Sequence, residues 1–443
     1  MNPQGGHLFT GASVAELAAN LPRSAAEPTG NHLFEENLTP EICRGPQQPI
    51  WENPEQVRLA REFLATFPPL VRRADVDELH GRLSDAARGE LLVLQVGDCA
   101  EDPAERTAER VAAKTELLEE LAGMLERANG LPVLKVGRIA GQFAKPRSND
   151  TESIDGVVLP VYRGHLVNGP EPDPESRRPD PLRMLIGFRA ASEIMGRLGW
   201  PPVGAESSTP AAEPTVWTSH EALLLDYEQP LVREHSDGRC WLGSTHWPWI
   251  GERTRQLYGP HVALLARVSN PVACKVGPSM SAGEITLLCE LLDPNREPGR
   301  LTLIARIGAD AVATKLPELV AAVRSAGHPV IWLCDPMHGN GTCTPEGRKI
   351  RHVSTIIREV HAFRRAVELA GGVAGGLHLE ATPDDVLECV DDAFEAPAGS
   401  GRGTSLCDPR LNATQAAEVV AAWTTAVDLV GAARAVSSGL TGN

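Results

Sequence analysis

From residue 90 onward the chain alternates short apolar runs with longer stretches whose apolar residues recur every three or four positions. The runs fall at 91–96, 133–136, 215–218, 241–249, 272–276, 301–305, 330–333 and 377–379. Helical spacing is clearest over 107–128, 309–325 and 353–370. Parallel strands need a long connection, so this alternation predicts parallel strands joined by crossover helices. Eight such strands predict a closed (β/α)8 TIM barrel. An open doubly wound sheet has the same rhythm, and periodicity alone does not separate the two.

Ahead of the barrel, Leu59, Phe63 and Leu64 give way to Val71, Val76, Leu79 and Leu83, which predicts helices over 53–88. Residues 1–45 are rich in Gly, Pro, Asn and Ala and read as an arm or an oligomer contact. A Pro- and acid-rich stretch at 169–178, a helix at 181–198 and a loop at 201–214 follow the second strand. They read as extra helices and loops inserted after strand 2. The expected organisation is an arm over 1–45, a helical extension over 46–89, the barrel over 90–432 and a tail over 433–443.

Composition narrows the class without naming it. The 443 residues are 42% hydrophobic and 23% charged, as in soluble globular proteins. A net charge of −16 argues against a general nucleic-acid binder, while leaving room for a locally positive pocket. No apolar run approaches the roughly 18 residues of a membrane span, and the first residues do not read as a secretory leader. Nine cysteines without CxxC pairs suit a reducing cytoplasm better than a disulfide framework.

The unusual residues cluster where the strands end. In parallel α/β folds the site forms at the carboxyl ends of the strands. Those ends give Asp98 and Cys99, Arg138, His220 and Glu221, Glu252 and Arg253, then Lys275, Arg306, Asp335, His338 and Glu380. Cys407, Asp408 and Arg410 follow the eighth strand. Cys99, His338, Glu380 and Asp408 form a thiolate, imidazole and carboxylate set that suits a divalent Mn, Co, Fe or Zn ion. Taken singly, each has a bland reading, since a strand cysteine is usually a small buried hydrophobe and a loop carboxylate is usually solvated. Arg138, Lys145, Arg147, Arg253, Lys275 and Arg306 form a basic set. Guanidinium forks match phosphate and carboxylate oxygens, so several at one pocket point to a substrate with more than one anionic group.

Several long strings resemble the type II (plant-type) 3-deoxy-D-arabino-heptulosonate 7-phosphate (DAHP) synthase family. The longest is KVGRIAGQFAKPRS at 135–148. VGDCAE at 96–101, SHEA at 219–222, WIGERTRQ at 249–256 and KVGP at 275–278 follow the same order. So do CDPMHGN at 334–340, HLE at 378–380 and CDPRLN at 407–412. The likeness runs from about 46 to 432. It implies a metal-dependent condensation of phosphoenolpyruvate with erythrose 4-phosphate and water, giving DAHP and phosphate at the entry to the shikimate pathway. It assigns the metal to Cys99, His338, Glu380 and Asp408. Phosphoenolpyruvate falls to Arg138, Glu252, Lys275 and Arg306, with Glu221 and Trp249 nearby. Lys145 faces the aldehyde as proton donor, Arg253 helps hold phosphate, and Ser148 joins the acceptor phosphate site. Arg138, Lys145, Glu252 and Lys275 are the expected catalytic set.

The chain also departs from the family pattern. His165 stands where the family's RGD has its Asp, Val96 replaces a common Gly, and Gly341 and Ile350 replace threonines. His165 motivates an alternative in which the acceptor is a modified, for example amino, sugar phosphate. A non-catalytic relative acting as a binding partner is the other alternative. The short stretch between 168 and 220 leaves little room for an aromatic effector site. A feedback-insensitive form serving secondary metabolism is therefore expected, as a cytoplasmic homo-oligomer.

Overall fold

Eight parallel strands close on themselves in chain order, which selects the barrel over the open sheet. They are β1 (Leu92–Gly97), β2 (Val133–Arg138), β3 (Trp217–Glu221), β4 (Trp247–Ile250), β5 (Val272–Val276), β6 (Leu301–Ala305), β7 (Ile331–Cys334) and β8 (Val373–Glu380). Closure is made by β1 against β8, with Val93 opposite Gly376 and Gly97 opposite Glu380. The computed structural model describes residues 45–154, 156–200, 216–344, 349–391, 406 and 408–424. The arm up to residue 44, the loop at 201–214 and the 433–443 tail lie outside the described residues.

The helices longer than one turn are, among the described residues, α1 (Pro54–Thr66), α2 (Arg73–Ala87), α3 (Ala108–Asn129), α4 (Arg183–Arg197), α5 (Pro260–Arg267), α6 (Ala282–Leu292), α7 (Val312–Ser325) and α8 (Val353–Leu369). Local chemistry sets their ends. Thr107 caps α3 by accepting the Arg110 N–H, and Gly130 ends it in the left-handed region. α1 and α2 are the helical extension, and Leu79 and Leu83 of α2 join the cluster that fills the barrel interior. The β2–β3 connection holds the hairpin Thr151–Ile154/Val157–Pro160 and, among the described residues, one helix, α4. No described helix is long and apolar enough to cross a membrane.

The apolar run at 241–249 is two elements. Cys240–Leu242 pairs antiparallel with Val232–Glu234 outside the barrel, and only Trp247–Ile250 enters it. A four-residue break between the two pieces lets the chain turn from the outer hairpin into the wall.

Strand alternation then sorts the side chains. Leu92, Leu94 and Val96 of β1 pack outward with Leu117 and Leu121 of α3. Val93, Leu134, Val136, Ile304, Ile331 and Leu333 share the inner cluster. Above that layer Gln95 Nε2 donates to Ser219 Oγ at 2.9 Å, and Gln95 Oε1 meets His378 Nδ1 at 2.5 Å. The next inward positions up the strands are Arg138, Glu221, Lys275, Arg306, Asp335 and Glu380. Parity alone brings these charged groups to one mouth.

Candidate active site

A cavity of about 470 Å³ opens at that mouth. Twelve of the thirteen residues expected from the sequence line it, from Cys99 and Arg138 on the first strands to Glu380 and Asp408 on the last. Lys145, Ser148, Glu221, Trp249, Arg253, Lys275, Arg306 and His338 complete the set. Glu252 is the exception. Its carboxylate turns from the cavity to Arg255, 2.8 Å away, which Glu284 also binds at 2.6 Å.

The turn after β2 is shaped by a buried carboxylate from the segment after β1. Glu101, 2% exposed, accepts the backbone N–H groups of Ala140, Gly141 and Gln142 at 3.2, 2.9 and 2.8 Å. Gln142 Oε1 in turn accepts the Glu221 N–H at 2.9 Å, tying the turn to β3. Beyond it, Lys145 N–H donates to Arg163 O at 2.8 Å. Gly164 has φ +98°, and a Cβ there would lie 2.2 Å from Phe143 O. Only glycine fits that crossing, which aims Lys145 into the cavity. Its Nζ lies 3.2 Å from Leu406 O and 3.5 Å from an Asp408 oxygen.

Arg138 and Glu380 sit on strands flanking β1, and Gly97 lies between them in register. With no side chain at Gly97, Arg138 reaches across to Glu380 Oε1 at 3.1 Å. Arg138 also stands 5.4 Å from the Trp249 ring centre. Arg351, from the hairpin strand Lys349–His352, holds the other Glu380 oxygen at 2.8 Å. Burial alone would raise the Glu380 pKa. His338, Arg351, Arg138 and Lys275 outweigh it and hold the carboxyl well below its ordinary range.

Glu221 behaves in the opposite way. Burial pushes its carboxyl up, against the pull of Lys275, Arg138, Arg253 and Arg306. Its Oε1 is buried without a hydrogen-bond partner among the described residues. Those cations ring one point in the cavity, and Arg306 has no ion-pair partner among the described residues. An anion with several oxygens suits such a ring. Arg253 NηH donates to Ser148 Oγ at 2.7 Å, extending the cationic strip toward the Lys145 side.

His338 shows how a metal would be held. Its Nδ1 lies 2.8 and 3.0 Å from the Asp335 oxygens, and Lys275 Nζ holds Asp335 Oδ2 at 2.9 Å. This leaves Nε2 directed at Glu380 Oε1, 3.4 Å away. A carboxylate on the far ring nitrogen is the usual support of a metal-binding imidazole. Burial pulls the His338 pKa down, favouring the neutral ring that binds cations. On the loop after β1, the strand next to β8, Cys99 Sγ accepts the Asp408 N–H at 3.1 Å. Among the described residues no three such donors already close on a common centre. The donors stand as two pairs facing one cavity, His338 with Glu380 and Cys99 with Asp408. Their chemistry fits a borderline divalent ion.

His165 lies outside the cavity wall, 3.7 Å from Asp102 and edge-on to Tyr162. It therefore gives no support to a changed acceptor. Arg351 was legible only as part of the KIR string at 349–351, far from any strand end.

Comparison with known proteins shows the family. The model of the class-II DAHP synthetase family matches residues 42–199 and 201–424. A Pseudomonas fluorescens protein named probable phospho-2-dehydro-3-deoxyheptonate aldolase is 55% identical over 382 residues, covering 86% of this chain and 95% of its own. A phospho-2-dehydro-3-deoxyheptonate aldolase from Streptomyces coelicolor is 39% identical, covering 84% and 93%. A solved phospho-2-dehydro-3-deoxyheptonate aldolase from Francisella tularensis shares the fold, with a TM-score of 0.50 at 15% identity over 84% of this chain and 96% of its own. With the matched model spanning nearly the whole described chain, the protein belongs to the class-II DAHP synthetase family.

Proposed function

We propose that the chain is a 3-deoxy-7-phosphoheptulonate synthase, condensing phosphoenolpyruvate with D-erythrose 4-phosphate and water to give DAHP and inorganic phosphate. The observation that carries this reading is one cavity lined both by Arg138, Arg253, Lys275 and Arg306 around Glu221 and by the donor pairs His338–Glu380 and Cys99–Asp408. A two-anion reaction with a carbonyl electrophile needs both.

Arg138, Lys275 and Arg306 hold the phosphate and carboxylate of phosphoenolpyruvate, with buried Trp249 as the apolar wall. Arg253 and Ser148 receive the acceptor phosphate, which orients the aldehyde carbon toward C3 of the enol. C3 attacks that carbon, C2 gains cationic character, water adds at C2, and the C2–O bond to phosphate breaks. Lys145 supplies the proton that the former aldehyde oxygen takes up. Cys99, His338, Glu380 and Asp408 would hold a divalent ion, which would supply Lewis-acid stabilisation of developing negative charge. Which of Mn, Co, Fe or Zn serves is open to all four donors.

The reading includes a feedback-insensitive enzyme of secondary metabolism, supported by the compact β2–β3 connection. It also includes a cytoplasmic homo-oligomer, resting on the cysteine pattern and on an arm outside the described residues.

The test is phosphate release from phosphoenolpyruvate. Release should require erythrose 4-phosphate, stop with chelator and return with Mn²⁺. Release that ignores the aldehyde, or that proceeds only with an amino-sugar phosphate, would refute the assignment.

A further inference from the structure

Behind the cavity wall, α8 sends an acidic side chain inward rather than toward solvent. Glu359 is 1% exposed. Its Oε1 accepts the Gly308 N–H at 2.8 Å, and its Oε2 accepts from Asn340 Nδ2. The Asn340 amide is fixed in turn. Its Oδ1 accepts the Ala309 N–H at 3.0 Å, and its Nδ2 also donates to Pro336 O at 2.8 Å. Gly308 and Gly339 are both left-handed at φ +94°, and a Cβ on Gly308 would lie 3.1 Å from Gly339 O. The loops after β6 and β7 are thus locked into one piece. Arg306 begins the first loop and His338 lies in the second, and both line the cavity.

We propose that Glu359 is a positioning residue, clamping the two loops so that Arg306 on the anion side keeps a fixed register with His338 on the metal side. It touches neither substrate nor metal, and the inference rests on the functional reading above. Gly308 N–H and Asn340 Nδ2 are both donors, which a carboxylate satisfies in full. Glutamine does not. One of its two terminal atoms would present an N–H to Gly308 or to Asn340, and Asn340 cannot flip without losing Ala309. Burial pushes the Glu359 carboxyl up, while the Gly308 N–H and the Asn340 amide pull it back toward the ionised form that the clamp uses.

The test compares Glu359→Gln with the paired swap Glu359→Gln/Asn340→Asp, using the full chain freed of metal. Titration calorimetry measures Mn²⁺ binding and phosphoenolpyruvate binding separately. Glu359→Gln should weaken both by roughly tenfold or more. The paired swap restores the donor–acceptor match between positions 359 and 340 at the cost of the bond to Pro336 O, and should recover part of both losses. A residue that only stabilises the fold would lower the melting temperature of both variants with no such recovery, and that result overturns the clamp. Unchanged binding in Glu359→Gln, beside a wild-type chain that binds both ligands, overturns the clamp alone. A wild-type chain that binds neither overturns the functional reading, and the clamp with it.

Discussion

Lys275→Met lowers kcat/KM for the condensation by roughly 10²–10³ and destabilises the fold by about 3 kcal/mol. Both effects trace to one ammonium group. Lys275 Nζ lies 2.9 Å from Asp335 Oδ2, and Asp335 is 0% exposed. Methionine fills the space of the stem but leaves a buried carboxylate short of its main counter-charge. Burial would then push the Asp335 pKa upward, where His338 and Lys275 now hold it well below the usual carboxylate range. The stability loss falls at the low end for a broken buried pair because Asp335 Oδ1 keeps the Met337 and His338 N–H groups at 3.2 and 3.1 Å. Activity suffers twice, through the lost contact to substrate anion and through a slackened His338. Urea unfolding and steady-state kinetics measure the two parts, and Lys275→Arg should retain more stability than activity. A methionine variant as stable as wild type would show that Asp335 does not depend on Lys275.

Glu380→Gln is the second large effect. It should weaken Mn²⁺ binding by at least about a hundredfold, the upper end of what loss of a supporting partner alone costs. It should also cost about 3 kcal/mol, since Arg138 and Arg351 would be left as buried charges facing a neutral amide. The sign of the pH dependence follows from the depressed carboxyl. The folded-state pKa of Glu380 lies below the ordinary 4.5, so its stabilisation is complete above that pH and is lost as pH falls through the folded value. The gap in urea midpoint between wild type and variant should be full at pH 7 and narrow only in acid. A gap that persists unchanged at low pH would mean the loss comes from packing and not from charge.

Much of this arrangement could be read from the chain, and the misses have identifiable causes. The strand ends were legible because an apolar run followed by a charge, as at Lys275 and Arg306, marks the mouth of a parallel barrel. The count of eight strands pointed to closure, although the pairing of β1 with β8 that makes it, between residues nearly 300 apart in the chain, leaves no mark on the periodicity. The 241–249 run misled because a hairpin strand and a barrel strand are both apolar, and only the turn between them separates the two. Glu252 follows β4 closely, but the pattern does not say which way a loop carboxylate points, and Arg255 three residues later draws it aside. Arg351 and Glu359 were missed for the reverse reason. Each comes from a segment remote from the strand ends, and a helical glutamate ordinarily reads as a solvated face.

Nothing in the chain alone showed that the four candidate donors would stand as two pairs, His338 with Glu380 and Cys99 with Asp408. The central claim is that these pairs close on one ion beside the cationic ring. Anomalous diffraction at the manganese edge, from crystals grown with Mn²⁺ and phosphoenolpyruvate, tests it directly. The account predicts one peak about 2.0–2.5 Å from Cys99 Sγ, His338 Nε2 and oxygens of Glu380 and Asp408, with the enol phosphate against Arg138, Lys275 and Arg306. A peak elsewhere in an active crystal, or an active crystal with no peak at all, would contradict it.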